Sequence, residues 1–160
     1  MLTPGNVLYG NFSLNPQSDY KYCIVLHQDN NNPDECIITT FTTSQKRGVA
    51  NPKHGRNELH TSSGGKHLTH VFKAGVAVGK NSTGDDFSFP KDSTVVPDYG
   101  MMGWKLNELQ RVQGIELKCR LFAKEFSELL YTLLKSDEVV EKYKPTIESA
   151  LTKLYNPPSQ

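Results

Sequence analysis

The sequence predicts a single α+β domain, mainly β, with an antiparallel module over residues 1–100 and a helical part over 101–160. Three observations carry that expectation. Short runs rich in β-branched and aromatic residues, punctuated by turn residues, fill the first hundred positions. The tail then changes to an apolar spacing of three and four, the period of an amphipathic helix. Finally, 160 residues, 36% hydrophobic and 22% charged, is the size and composition of one domain whose core needs no cross-links.

Residues 6–12 (Asn-Val-Leu-Tyr-Gly-Asn-Phe) follow a Pro4-Gly5 turn signal and read as a first strand. Residues 20–27 have a continuous apolar centre, as in a strand buried on both faces. The Asn-Asn-Asn-Pro-Asp cluster at 30–34 is a hairpin turn, and 36–43 returns as Cys-Ile-Ile-Thr-Thr-Phe-Thr-Thr. These three runs make a meander. Residues 48–66 hold Gly48, Pro52, Gly55, Gly64 and Gly65, and are expected to be a loop of nearly twenty residues within a long basic loop, 46–67. Short strands are expected at 68–73 and 75–79, a turn at 81–86, and one or two strands over 87–96, ending at Pro97. Five to seven short strands suggest a small barrel or a sandwich.

Beyond Gly114, the positions Ile115, Leu117, Leu121, Phe122, Phe126, Leu129, Leu130, Leu133 and Leu134 predict a helix of about twenty residues. Ser136 or Asp137 caps a second segment, and Pro145 starts or restarts a helix through Tyr155, with Val139, Tyr143, Ile147, Leu151 and Leu154 as its stripe. The helices are expected to pack on the β module; a partner groove or a dimer seam is the alternative use of their apolar face.

Several classes are excluded. No apolar run approaches the ~20 residues of a membrane span, and the N-terminal residues lack the basic and apolar regions of a secretory leader. Cys23, Cys36 and Cys119 are an odd set at no metal-ligand spacing, so reduced thiols and a cytoplasmic location are expected. There is no Gly-rich phosphate loop, His-Glu-x-x-His pair, Cys-x-x-Cys or serine elbow, so no metal and no cofactor are expected. His67 and His70, three apart on a strand, point to opposite faces, and Asp85 and Asp86 belong to a turn.

The net charge of +1 conceals an imbalance. Between Ser44 and Lys73 lie six cations, Lys46, Arg47, Lys53, Arg56, Lys66 and Lys73, against Glu58 alone. His54, His60, His67 and His70 share the window. Such a stretch suits a polyanion, whose counterions are released by each cation placed on a phosphate; a solvated loop has the same composition.

The order of motifs resembles the MazF/PemK family of toxin endoribonucleases. Pro4-Gly5-Asn6-Val7-Leu8-Tyr9-Gly10-Asn11-Phe12 matches its opening strand, and Lys21-Tyr22-Cys23-Ile24-Val25-Leu26 its second. Cys36 through Phe41-Thr42-Thr43-Ser44-Gln45 matches the third, while Leu68-Thr69-His70-Val71 and Phe89-Pro90-Lys91-Asp92-Ser93-Thr94-Val95 are similar to later segments. The resemblance covers roughly residues 4–135. It implies a small SH3-like antiparallel barrel with C-terminal helices packed on it. It also implies a homodimer that binds single-stranded RNA across the dimer groove, and an antitoxin whose tail occupies the same groove. Cleavage would proceed without metal, by attack of the ribose 2′-hydroxyl on the adjacent phosphate.

Carried over, the catalytic positions are Lys21, where the family has arginine, and Thr43, with Ser44 beside it; Tyr22 replaces the family's proline. Lysine keeps the charge of arginine but loses the planar fork that holds two phosphate oxygens. Arg47 or Arg56 could supply a guanidinium, and His54, His60 or His67 an acid. Nucleic-acid contacts are expected from Lys46, Arg47, Lys53, His54, Arg56 and Lys66. Tyr20, Tyr22 and Phe41 are candidate stacking platforms or core residues. The rival reading is a non-catalytic barrel that binds nucleic acid or a protein partner; a gyrase-directed toxin on the same barrel is a third.

Overall fold

The computed structural model describes residues 1–12, 20–60 and 66–155. Its centre is one nine-stranded antiparallel sheet, curled into a half-barrel. The strands are β1 (Asn6–Asn11), β2 (Tyr20–Gln28), β3 (Ile37–Thr43), β4 (Gly55–His60), β5 (Lys66–Phe72), β6 (Gly79–Lys80), β7 (Asp86–Phe87), β8 (Ser93–Trp104) and β9 (Gln113–Leu121). They lie in the order β4-β5-β8-β3-β2-β1-β9-β6-β7. The helices are α1 (Leu106–Gln110), α2 (Ala123–Lys135) and α3 (Lys144–Tyr155), with a 3-10 turn at Glu141–Tyr143.

Period-two alternation sorts the central strands onto two faces. Val7, Ile24, Leu26 and Ile38 face the helices and pack with Phe126, Leu129, Leu130 and Leu133 of α2 and Ile147 and Leu151 of α3. Leu8, Cys23, Val25 and Ile37 face the other way, against Trp104 and Leu109. Because both faces are covered, the middle of β2 reads as an unbroken apolar run. Trp104 satisfies its one donor there, with Nε1–H donating to Thr39 Oγ1 at 2.8 Å. Behind α2, the Lys144 ammonium donates to the backbone carbonyls of Leu133, Leu134 and Ser136, closing the helix C-terminus where cations are favoured.

The β1–β2–β3 meander stands as expected, and the helices do pack on the sheet. Four expectations are corrected. Residues 113–121 form β9, not the first half of a helix; α2 begins only at Ala123. Ile115, Leu117, Cys119 and Leu121 alternate as well as they repeat at three and four, and pairing with the free side of β1 decides for the strand. The long basic loop contains a whole strand, β4, whose polar sequence suits the sheet edge. Pro97 does not end β8: the ladder with β3 jumps from Val96 to Met101, so 97–100 bulge out and the missing N–H is not needed. The strand expected at 75–79 shrinks to β6, where Gly79 approaches β9 so closely that a Cβ would lie 2.3 Å from the Arg120 carbonyl oxygen.

Candidate functional site

β2 begins and β3 ends at the same edge of the meander. Cys23 pairs with Phe41, and the same register carried two residues outward sets Lys21 opposite Thr43, on one face. Both line a cleft of about 460 Å³, together with Ser44, Tyr9, Tyr20, Tyr22 and Lys91. The Tyr9 ring lies 4.6 Å from Tyr22 and 5.5 Å from Tyr20, centre to centre. Tyr20 is 49% exposed, and its hydroxyl packs where a Cβ at Gly114 would approach to 2.9 Å. The ammonium of Lys118 stands 5.5 Å over Tyr9 and is held by Glu116 at 2.8 Å. Burial raises the Tyr22 phenol above its ordinary value, with Lys118 opposing and Tyr9 adding to the shift.

Thr43 Oγ1 accepts the Gln45 N–H at 3.2 Å, a strand-end turn. That uses a lone pair and leaves its hydroxyl proton available to a ligand oxygen. Ser44, Gln45 and Lys91 also line an adjoining cleft of about 310 Å³ with Lys46, Arg47 and Asp92, so the two clefts flank the end of β3 as one groove region. Lys46 donates to the Ala50 carbonyl at 3.1 Å and shapes the turn there.

Other sequence candidates are spent elsewhere. Arg47 forks onto both oxygens of Asp98 at 3.2 and 3.1 Å and lies 3.7 Å from Glu138, a bidentate pairing that occupies its planar face. His54 bridges three elements: its Nδ1 accepts the Lys73 N–H at 3.1 Å, so the ring proton sits on Nε2 and is donated to Glu125 at 2.8 Å. His67 Nδ1 lies 3.1 Å from Glu138. His70 is 1% exposed, and burial, with the charges of His54 and Arg56, pushes its pKa down to about 3. Thr132 donates its hydroxyl proton to the Glu128 carbonyl at 2.8 Å and therefore accepts from His70 Nδ1 at 3.0 Å. The side chains of His60 and Lys66 lie outside the described residues.

The six expected nucleic-acid contacts are thus not one surface. Lys46 and the carboxylate-paired Arg47 line the cleft that adjoins that of Lys21; Lys53, His54 and Arg56 line a separate cleft of about 550 Å³ between β4 and α2. Sequence reasoning missed Tyr9, Lys91 and Lys118. Tyr9 had a signal, since β1 alternates and the antiparallel register puts it opposite Tyr22; Lys118 had none, because its strand was read as a helix. Phe41 belongs with the core around Trp104. Cys23 and Cys119 are buried thiols pushed up to about 12 by desolvation. Among the described residues, no three His, Cys, Asp or Glu side chains are grouped to hold a metal ion, and no helix is long and apolar enough to cross a membrane.

No protein-family model, no curated protein and no solved structure matches this chain, so the likeness to the MazF/PemK toxins rests on the strand motifs alone.

Proposed function

We propose that this chain binds single-stranded RNA along the groove around the ends of β2 and β3. One observation carries the reading: three neighbouring tyrosine rings and the cations Lys21, Lys46 and Lys91 line two adjoining clefts at the ends of β2 and β3. None of these three lysines is in an ion pair among the described residues, whereas Arg47, Lys73, Lys80 and Lys142 are. Stacking platforms beside unpaired cations suit an unstacked polyanion whose bases have free faces. On this reading, a second copy would extend the groove and an antitoxin tail would compete for it, as the family resemblance implies.

A second reading, metal-independent cleavage, is favoured by Lys21 and Thr43 standing on one face of adjacent strands and lining the same cleft of about 460 Å³. The ribose 2′-hydroxyl gives up its proton to water and attacks phosphorus. The bond to the 5′-oxygen breaks and that oxygen takes a proton from water, so that a 2′,3′-cyclic phosphate and a 5′-hydroxyl result with no net change in protons. Lys21 and Thr43 would meet the charge that develops on the non-bridging oxygens. His54, His67 and His70 are each bonded away from the cleft, so they do not supply its acid or base.

The test is mixed-sequence single-stranded RNA, titrated with protein in EDTA at several salt concentrations, with end mapping of any products. Salt-sensitive binding that weakens in Lys21→Met and Tyr20→Ala supports the first reading. Cyclic-phosphate ends that vanish in Lys21→Ala and Thr43→Ala support the second. Binding without products overturns cleavage only, and absence of binding overturns both.

A further inference from the structure

The cleft between β4 and α2 is built differently from the groove, and its construction points to a small anion. The turn that enters β4 is clamped by buried Asn57, whose Oδ1 accepts the Lys53 N–H at 3.0 Å and whose Nδ2 donates to the carbonyls of Lys53 and Gly55 at 2.9 and 3.0 Å. Gly55 holds φ at +95°, a backbone state that other residues adopt only under strain. His54 ties the same turn to α2 through Glu125 and to the end of β5 through the Lys73 N–H.

A turn held on every side nevertheless leaves Lys53 and Arg56 exposed and outside any ion pair among the described residues. Lys135, also exposed and outside any ion pair, lines the cleft from α2, and Glu128 is its one carboxylate. Three cations against one lining carboxylate, with Glu125 behind His54, still leave an excess of positive charge, which suits a phosphate monoester of about −1.5 to −2 at neutral pH. A volume of about 550 Å³ exceeds what a bare phosphate fills and falls in the usual range for small organic ligands. The remaining wall is the Tyr131 ring, 42% exposed, with Tyr155 beside it at 6.5 Å. Thr132 lines the cleft as well, and buried His70 is bonded to it from behind, with His70 Nε2 without a partner among the described residues.

We propose that this cleft binds a phosphate monoester bearing an aromatic ring, the chemistry of a nucleoside monophosphate. Arg56 and Lys135 hold the phosphate from opposite walls, Lys53 adds charge at the rim, and Tyr131 faces the ring. Preorganisation by Asn57 and His54 means that little ordering accompanies binding. The site is independent of the RNA groove, which lies on the far side of β5 and around β3.

Adenosine 5′-monophosphate, adenosine and inorganic phosphate are titrated separately into the full chain, followed by amide-resolved NMR and calorimetry. The monophosphate is expected to bind at least tenfold more tightly than either fragment, shifting the amides of residues 53–57 and 128–135. Arg56→Gln and Lys135→Gln, both at exposed positions and checked for unchanged melting, should each weaken it about tenfold, as loss of one charge-assisted contact does. Lys21→Met should leave it unchanged, and Arg56→Gln should leave RNA affinity unchanged. No binding at millimolar nucleotide, equal binding of phosphate alone, or sensitivity to Lys21→Met instead of Arg56→Gln would each overturn the assignment.

Discussion

The seam between helices and sheet and the clefts at the ends of β2 and β3 treat their polar groups in opposite ways. Within that seam His54 is bonded to Glu125, His70 to Thr132 and the Lys144 ammonium to the end of α2, while Lys53, Arg56 and Lys135 stand outside it in their own cleft. Around the ends of β2 and β3, Lys21 and Lys91 are in no ion pair among the described residues and Tyr20 is half exposed beside Tyr9, while Tyr22 packs inward on Phe89. Committed groups hold elements in place and lose stability when truncated, because a partner is left buried and unpaired. Uncommitted ones contribute little to folding and remain free for a ligand. A charged residue's role here follows from what it is bonded to, and basic composition alone does not reveal that.

Four substitutions probe this contrast, from the largest expected effect down. Leu130→Ala empties the middle of the α2 contact, where the side chain is fully buried, and should cost about 2–5 kcal/mol by urea denaturation. A loss under about 1 kcal/mol would show that α2 is not anchored there. The second uses pH. His70 is neutral in the folded chain with a pKa near 3, against an ordinary 6.5. Its proton therefore binds preferentially to the unfolded state, and stability falls as pH drops from 6.5 toward 3, by up to about 1.4 kcal/mol per pH unit. His27, lowered chiefly by burial, adds in the same direction. Urea midpoints at mildly acidic and neutral pH should differ less in His70→Leu than in the wild type; parallel profiles would remove His70 from that account.

Third, Tyr20→Ala should weaken RNA binding by about 1–3 kcal/mol, the range for one stacked base, while the urea midpoint barely moves. A large stability loss with little change in affinity would reassign the tyrosine cluster to the core. The smallest effect is expected from Lys80→Ala. Its pair with Asp86 at 2.6 Å is more than half exposed, and such pairs contribute about 0–1 kcal/mol. A measurable effect on RNA affinity there would show that the groove's cations are not distinctive.

Parts of this molecule were legible because the local signal had a single solution. The β1–β2–β3 meander follows from continuous β-branched runs and an Asn-Pro-Asp turn, and the stripe from Phe126 to Leu133 can bury itself only as a helix. Lys21 and Thr43 could be placed at neighbouring strand ends because the hairpin register relates them. The groove's other members were not visible, since Lys91 reaches it from the connection between β7 and β8 and Lys118 from a strand read as helix.

By itself, the sequence determined the fold class, the central hairpins and the faces that must be buried, because side-chain periodicity dictates which surfaces leave water. Tertiary structure decided what periodicity leaves degenerate. Residues 113–121 became a strand because β1 offered an unpaired edge, and β4 formed because β5 could pair with it. Only folding could divide the basic residues between committed and free, since Arg47 meets its carboxylate 51 positions away and His54 meets Glu125 across 71. Coulombic and hydrogen-bond partners depend on distance in space, which chain order does not encode.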